Sequence, residues 1–244
     1  MQNDFDVRFE WGASAVAALA GDVAVVVIVD VLRFTTAVEA AVSQGAMVYP
    51  YGPRNDSAAT FATSIGAVLA DGATPTGRSL SPISLLTMSL GDAVVLPSPN
   101  GSRCASLAAE RDATVVAACL RNAGAVADWL RHRPRPLLVV AAGETWPDGS
   151  LRPAVEDLVG AGAVIDAVGG SASPEATAAG QAWRAFERDP WQLLSTCSSG
   201  RELIARQGIE DVRYAAESNV STVVPVLVRG AFVAAPRPDV AGDR

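Results

Sequence analysis

Residues 23–29, Val-Ala-Val-Val-Val-Ile-Val, form an unbroken apolar run bounded by Asp22 and Asp30. A strand with one solvated face alternates apolar and polar residues, whereas an unbroken run marks a strand covered on both faces, as in a parallel sheet. Short apolar runs return at 46–49, 93–96, 114–117, 137–141 and 223–228. Between them lie Ala-rich stretches of good helix propensity, at 36–44, 57–65, 103–110 and 122–131. This alternation predicts an α/β fold, a sheet with helices on both faces joined by right-handed crossovers.

From about residue 153 to 207 the pattern turns mostly helical, with breaks at Gly169-Gly170, Pro174 and Pro190. A strand pair is expected near 223–233. There is no Ser/Gly linker, no low-complexity block and no repeat. One domain over residues 1–236, followed by a flexible tail at 237–244, is the expected organisation.

Composition narrows the chemistry. Of the 244 residues, 50% are hydrophobic and 18% charged, enough apolar material for a large core. The net charge of -7 argues against a nucleic-acid partner but allows a local anion site. All 19 basic residues are Arg, so Schiff-base and pyridoxal chemistry and a P-loop lysine are excluded. His132, the only histidine, stands between Arg131 and Arg133 and rules out a three-His zinc site; it reads as a surface residue. Cys104, Cys119 and Cys197 are odd in number and scattered, which suits reduced thiols in the cytoplasm. The start of the chain is acidic where a signal peptide is basic, and the 23–29 run is too short to span a bilayer, so no membrane partner is expected.

Ligands of open α/β sheets gather beyond the carboxyl ends of the strands. Three such places are polar. After the first strong strand comes Asp30-Val31-Leu32-Arg33-Phe34-Thr35-Thr36. Here Asp30 can hold a divalent cation, Arg33 can grip a phosphate or carboxylate with two donors, and Thr35 and Thr36 can present hydroxyls at a helix start. The plainer alternative is a helix cap. After residue 96 comes Ser98-Pro99-Asn100-Gly101-Ser102-Arg103. An Asn-Gly pair permits positive φ, so successive amides can turn inward as an anion cradle with Ser102 and Arg103 as side-chain donors, or it forms an ordinary turn. The third place is Gly143-Glu144, with Glu156-Asp157 opening a helix expected over 154–168. Adjacent acids there stabilise the helix dipole, and they can also supply oxygen ligands to a hard cation such as magnesium.

Other motifs fail. Cys197-Ser198-Ser199-Gly200-Arg201 has too short a Cys-to-Arg interval for a thiol-phosphatase loop. Gly160-Ala161-Gly162 falls inside a helix rather than between strand and helix, which points to close helix packing. Asp30-Val31-Leu32 has Leu where haloacid-dehalogenase-type phosphatases carry a second Asp, removing their general acid. The polar stretch 217–221 precedes a strand and borders the site or forms a turn.

Taken in order, residues 29–36, Leu80-Ser81-Pro82, Asn100-Gly101-Ser102-Arg103, and Glu156-Asp157-Leu158 with Ala161-Gly162 resemble the 2-phosphosulfolactate phosphatase family, continuing weakly through Ser198-Ser199-Gly200. The resemblance covers roughly residues 20–230. It implies a three-layer α/β/α sandwich with a mostly parallel or mixed sheet, and a cytoplasmic magnesium-dependent phosphatase. The implied reaction converts (2R)-2-phospho-3-sulfolactate to 3-sulfolactate and phosphate, on the route to coenzyme M. Asp30, Glu156 and Asp157 are then expected to hold Mg²⁺. Asp30 and Arg33 are the expected catalytic residues, and Thr35, Thr36, Asn100, Gly101, Ser102 and Arg103 the substrate-binding ones. A water molecule is the preferred nucleophile, with an aspartyl-phosphate on Asp30 as the alternative. Other readings are a phosphatase for another 2-phospho acid, such as phospholactate or phosphoglycolate, and a catalytically inactive protein that binds an acidic metabolite. Trp183, Phe186 and Trp191 are read as core residues, with a homodimer contact as the alternative.

Overall fold

Every apolar run named above becomes a strand in the computed structural model, which describes residues 2–52, 56–72 and 77–236. The expected tail at 237–244 lies outside the described residues. In chain order the strands are β1 (Val7–Trp11), β2 (Val25–Val29), β3 (Met47–Tyr51), β4 (Val68–Leu69), β5 (Ala93–Pro97), β6 (Thr114–Ala118), β7 (Leu137–Ala141), β8 (Glu144–Thr145), β9 (Leu151–Arg152), β10 (Pro225–Val228) and β11 (Ala231–Ala234). The helices are α1 (Gly12–Leu19), α2 (Phe34–Ser43), α3 (Asp56–Ser64), α4 (Pro82–Leu85), α5 (Gly101–Ala109), α6 (Ala123–Arg131), α7 (Val155–Val168), α8 (Pro174–Phe186), α9 (Pro190–Thr196), α10 (Ser198–Ala205) and α11 (Ile209–Ala216).

The main sheet has the order β1-β7-β2-β6-β10-β11-β3-β5-β4, and β8 and β9 form a separate hairpin. Strands β1, β7, β2 and β6 are mutually parallel, as are β3, β5 and β4. The β10–β11 hairpin joins the two groups through antiparallel pairings. With helices on both faces, this is a three-layer α/β/α sandwich around a mixed sheet.

The unbroken pattern of β2 has the expected cause. Val25, Val27 and Val29 enter a core with Val126 of α6, Val159 of α7 and Ala179 of α8. Val26 and Ile28 enter the opposite core with Val16 of α1, Val38 of α2 and Ala105 of α5. Each buried Val or Ile stabilises the fold by about 1.5–3 kcal/mol, so a polar residue on either face of β2 would be destabilising. Trp183 is buried in the first of these cores, and Phe186 and Trp191 pack against it.

Elements that the sequence reading does not name include β1 and α11, besides the short β4, α4, β8 and β9 and helix α1. Strand β1 pairs with β7 and, at Val7, bridges to Ala172, and its apolar pattern is interrupted by Arg8 and Glu10. Helix α11 is short and interleaves Glu210, Asp211 and Arg213 with its apolar residues.

Gly160 and Gly162 confirm close packing inside α7. A Cβ at Gly160 would lie 2.6 Å from Val31 Cγ2, and one at Gly162 only 2.0 Å from the Ala179 carbonyl oxygen. Gly162→Ala must push α8 away and is expected to cost roughly 3 kcal/mol in urea unfolding. Gly180→Ala, on α8, meets nothing nearer than Asp166 Oδ1 at 4.0 Å. It should be neutral or stabilise by up to about 1 kcal/mol, through the better helix propensity of Ala. Equal effects of the two substitutions would contradict this packing.

Candidate active site

Strand β2 ends at Asp30, which is 5% exposed. Its Oδ1 accepts from the Phe34 amide at 3.0 Å and its Oδ2 from the Gly101 amide at 2.9 Å. The carboxylate therefore caps the start of α2 and also ties it to the start of α5. Burial is the main reason its pKa is pushed up to about 6, with the charge of Glu156 adding to it; the two amides and Arg33 act in the opposite direction.

Gly101 is required by proximity. It is not among the positive-φ glycines, and Asn100 has φ -105°, so the left-handed turn expected of Asn-Gly does not form. A Cβ on Gly101 would lie 2.4 Å from Phe34 Cδ1 and 2.6 Å from Asp30 Oδ2. Only glycine lets the amide reach the carboxylate.

The hydroxyls of this region serve the backbone. Thr35 Oγ1 accepts from the Asp30 amide at 2.9 Å and donates to the Asp30 carbonyl at 2.8 Å. Thr36 Oγ1 donates to the Val31 carbonyl at 2.7 Å, and Ser102 Oγ to the Leu96 carbonyl at 2.9 Å. All three are fully buried, so they shape the turns and do not present hydroxyls to a ligand as the sequence suggested. Buried hydroxyls need partners, and the nearest carbonyls provide them.

Asp157 is likewise occupied. Its Oδ1 accepts from the Val31 amide at 2.7 Å and its Oδ2 from the Gly143 amide at 2.9 Å, which fixes the loops after β2 and β7 to α7. Burial, and then the charges of Asp30 and Glu156, hold its pKa well above the usual carboxylate range. The neighbouring Glu156 is buried close to Cys197, whose thiol donates to the Leu194 carbonyl at 3.6 Å. Burial and Glu156 push that thiol up to about 12, so Cys197 is no thiolate nucleophile at neutral pH. Its structural task is capping α10, where Sγ accepts from the Gly200 amide at 3.4 Å.

Two acids missing from the expected site set stand nearby. Glu144, delivered by the β8–β9 hairpin, accepts from Asn100 Nδ2 at 2.8 Å, and Thr145 Oγ1 donates to Asn100 Oδ1 at 3.0 Å. Burial, followed by the charge of Asp30, pushes Glu144 up to about 7. Asp211 of α11 accepts from Arg33 Nη1 at 2.5 Å and from the Ser81 hydroxyl. Arg33 is thus held in place by a buried carboxylate rather than left free. Asp211→Asn removes the charged half of that contact and is expected to lower kcat about 10- to 100-fold in phosphate-release assays, with the fold retained. Unchanged kcat would show that Arg33 needs no such support.

A cleft of about 300 Å³ gathers these groups, with Asp30, Arg33, Asn100, Glu144, Ser199 and Arg206 on its wall. Arg103 lines a smaller cavity adjoining it. Residues from the ends of β2, β5 and β7 and from α10 therefore meet at one rim, as the strand-end reasoning requires. The expected Asp30, Glu156 and Asp157 trio is not assembled as a metal centre: among the described residues no three Asp, Glu, His or Cys side chains are close enough to hold an ion together. Asp157 and Glu156 are not on the cleft wall, whereas Asp30 and Glu144 are. Neither acid was separated from its neighbours by spacing alone. The polar positions directly after β5 and β7 were the signal for Asn100 and Glu144, and nothing local marks Asp211 or Arg206.

Comparison with known proteins places the chain in a family. The 2-phosphosulpholactate phosphatase family profile matches residues 15–230. A Carboxydothermus hydrogenoformans protein named probable 2-phosphosulfolactate phosphatase is 31% identical over 209 residues, covering 82% of this chain and 84% of its own length. A Thermus thermophilus protein of the same name is 33% identical over 215 residues, covering 83% and 87% respectively. With the Gloeobacter violaceus protein of that name the match is shorter, 33% over 147 residues, and the chain spans 60% of that relative's length. Matched along most of its length and carrying its polar residues at the strand ends, the chain belongs to the 2-phosphosulfolactate phosphatase family of phosphoric monoester hydrolases.

Proposed function

We propose that the chain hydrolyses (2R)-2-phospho-3-sulfolactate to 3-sulfolactate and phosphate, with Mg²⁺ as its cofactor. The observation that carries this reading is the cleft itself, in which a buried Asp30 is fastened to the start of α5 beside an Arg33 already oriented by Asp211. The names of the relatives supply the substrate.

The residues present fit a magnesium ion. Burial raises the pKa of both Asp30 and Glu144, and the charge of Asp30 raises Glu144 further across the cleft, so a cation there would relieve both carboxylates. Magnesium commonly takes one or two carboxylates and completes its shell with substrate phosphate and water, so a preassembled trio is not needed. Asp30 and Glu144 would hold it. When bound, the ion supplies positive charge to the two carboxylates and to the phosphoryl oxygens.

The chain's own groups do the positioning. Phosphoryl transfer passes through a loose transition state in which charge spreads over the equatorial oxygens, so catalysis is mostly orientation and electrostatics. Arg33 presents its guanidinium from a fixed position, and Arg206, just after α10, adds a second positive group on the cleft wall. Both Asp30 oxygens already accept backbone amides, which fixes the carboxylate and reduces its nucleophilicity. This favours water over Asp30 as the attacking group. A cytoplasmic location is in keeping with the three buried, unpaired thiols, and no helix among the described residues is long and apolar enough to cross a membrane.

The test is phosphate release from a panel of (2R)-2-phospho-3-sulfolactate, 2-phospholactate and phosphoglycolate at equal concentration. Preference for the sulfonated ester supports the proposal. Equal or faster release from the others assigns the chain to a different 2-phospho acid, and no release from any of them makes it a binding protein.

A further inference from the structure

The contact between Arg33 and Asp211 joins two separate elements. Arg33 is the residue from which α2 starts, and Asp211 lies in the first turn of α11. A second ionic link connects the same two helices. Arg121, in the 3-10 turn Leu120–Asn122 between β6 and α6, donates from Nε to Glu39 Oε2 of α2 at 2.9 Å. Its Nη1 donates to the Tyr214 carbonyl of α11 at 3.0 Å and to the Glu217 carboxylate just beyond that helix. The guanidinium carbon also stands 3.5 Å from the centre of the Tyr214 ring, whose hydroxyl donates to Glu39 Oε2 at 3.3 Å.

Arg121 is 8% exposed and Glu39 only 1%, so both charges have left water. A buried ion pair adds little net stability over an apolar set of similar volume, and its better-supported use is to fix one arrangement among several. The arrangement fixed here is α11 against α2. Val212 and Ala215 bury α11 in the core, but apolar packing is non-directional and a helix of eight residues is too short to be stable alone. Arg121 supplies the missing direction by gripping the last turn of α11. Asp211 precedes Tyr214 by three residues, about 4.5 Å along the helix axis. The seat of this clamp is itself secured: the Asn219 amide donates to the Leu120 carbonyl at 3.0 Å, the Ser221 amide to the Arg121 carbonyl at 2.9 Å, and the Gly124 amide to Asn219 Oδ1 at 2.8 Å. The polar stretch 217–221 is thus a turn, and it anchors the far end of α11.

We propose that Arg121 is a positioning residue for phosphate release: by clamping α11 to α2 it sets where Asp211 meets Arg33, and so how the Arg33 guanidinium faces the cleft. The inference rests on the function proposed above, in particular on the part given there to Arg33. Orientation governs such a reaction steeply, since a misplacement of about 1 Å far from the chemistry can cost on the order of 100-fold in rate.

The test measures kcat and KM for (2R)-2-phospho-3-sulfolactate, with Mg²⁺, in wild type, Glu39→Gln/Arg121→Met, Asp211→Asn and the triple variant. The paired substitution removes both buried charges together, so neither is left unpaired, and Glu39→Gln keeps an acceptor for the Tyr214 hydroxyl. It should lower kcat about tenfold in the wild-type background and less than about twofold in the Asp211→Asn background, because Asp211 is the group through which Arg121 acts. A role in stability alone would lower the rate by the same factor in both. Equal losses in the two backgrounds, or a kcat within about twofold of wild type, overturn the proposal. If the paired variant does not fold, Arg121→Lys replaces it, keeping a charge beside Glu39 but losing the fork that spans both helices. A loss of about threefold confined to the background with Asp211 then supports the clamp, and an equal or absent loss overturns it. If the wild type releases no phosphate from the ester, the hydrolase reading fails and calorimetric binding of inorganic phosphate to the same proteins decides the clamp. Affinity weakened several-fold only where Asp211 is present supports it, and an equal or absent change overturns it.

Discussion

Asp30→Asn is expected to lower kcat by about a thousandfold or more while leaving a folded protein. Asparagine has nearly the same volume, and its carbonyl oxygen still accepts one of the two amides, from Phe34 or Gly101, that the carboxylate now takes. The other amide faces an NH2 group, at a cost of about 1–3 kcal/mol. Offsetting that, the substitution removes a buried negative charge that Glu156 already disfavours. Stability should thus change little in thermal melts while turnover collapses, because the charge proposed to hold the cation is gone. Turnover within tenfold of wild type would remove Asp30 from the chemistry. A variant that fails to fold would show that its two amide contacts, rather than its charge, are what the chain requires.

The second large effect is on stability as a function of pH and metal. Asp30 rises from an ordinary 3.8 to about 6 in the fold, Glu144 from 4.5 to about 7, and Asp157 also rises. For a carboxyl whose folded pKa is raised, the folded state binds more protons than the unfolded one between the two values. The metal-free protein is therefore most favoured below about pH 4 with respect to these groups, and loses that contribution as pH climbs through about 6 to 7. At about 1.4 kcal/mol per pH unit, Asp30 alone accounts for a loss on the order of 3 kcal/mol. Magnesium held by Asp30 and Glu144, as proposed, would offset the charges responsible, so it would stabilise the protein above pH 7 and have little effect at pH 5, where protons compete with it. Thermal melts in EDTA and in Mg²⁺ at pH 5 and 8 check this. Asp30→Asn should flatten both the pH and the metal dependence. Equal metal effects at the two pH values would show that the raised acids are not where the ion binds.

The scaffold was legible because its signals are local. A strand covered on both faces needs an unbroken apolar run, and β2, β5, β6 and β7 each announce themselves that way. Asp30 and Asn100 were legible for the related reason that a polar residue directly after such a run has to lie at the end of the sheet. The rest depends on what comes across from elsewhere in the chain. Asp157 was expected to meet a metal, yet the amides of Val31 and Gly143 take both its oxygens. Those partners come from two different strand ends. Ser102, Thr35 and Thr36 looked like donors, but burial turned each hydroxyl to the nearest carbonyl. Asp211 stands 178 residues from Arg33 in the sequence, on a short helix that follows the long helical stretch. Glu144 reads in the sequence only as a polar strand end, and it is the β8–β9 hairpin that folds it back over Asn100. Glycine at 101 is required by close approach to Phe34 and Asp30, not by the left-handed turn that an Asn-Gly pair suggests.

The most direct check is phosphate release from (2R)-2-phospho-3-sulfolactate by the wild-type chain as free Mg²⁺ is raised from an EDTA-clamped zero. The account requires no turnover in EDTA, a saturable rise with added Mg²⁺, and no such rise in Asp30→Asn. Turnover that is as fast in EDTA as in Mg²⁺ would contradict it.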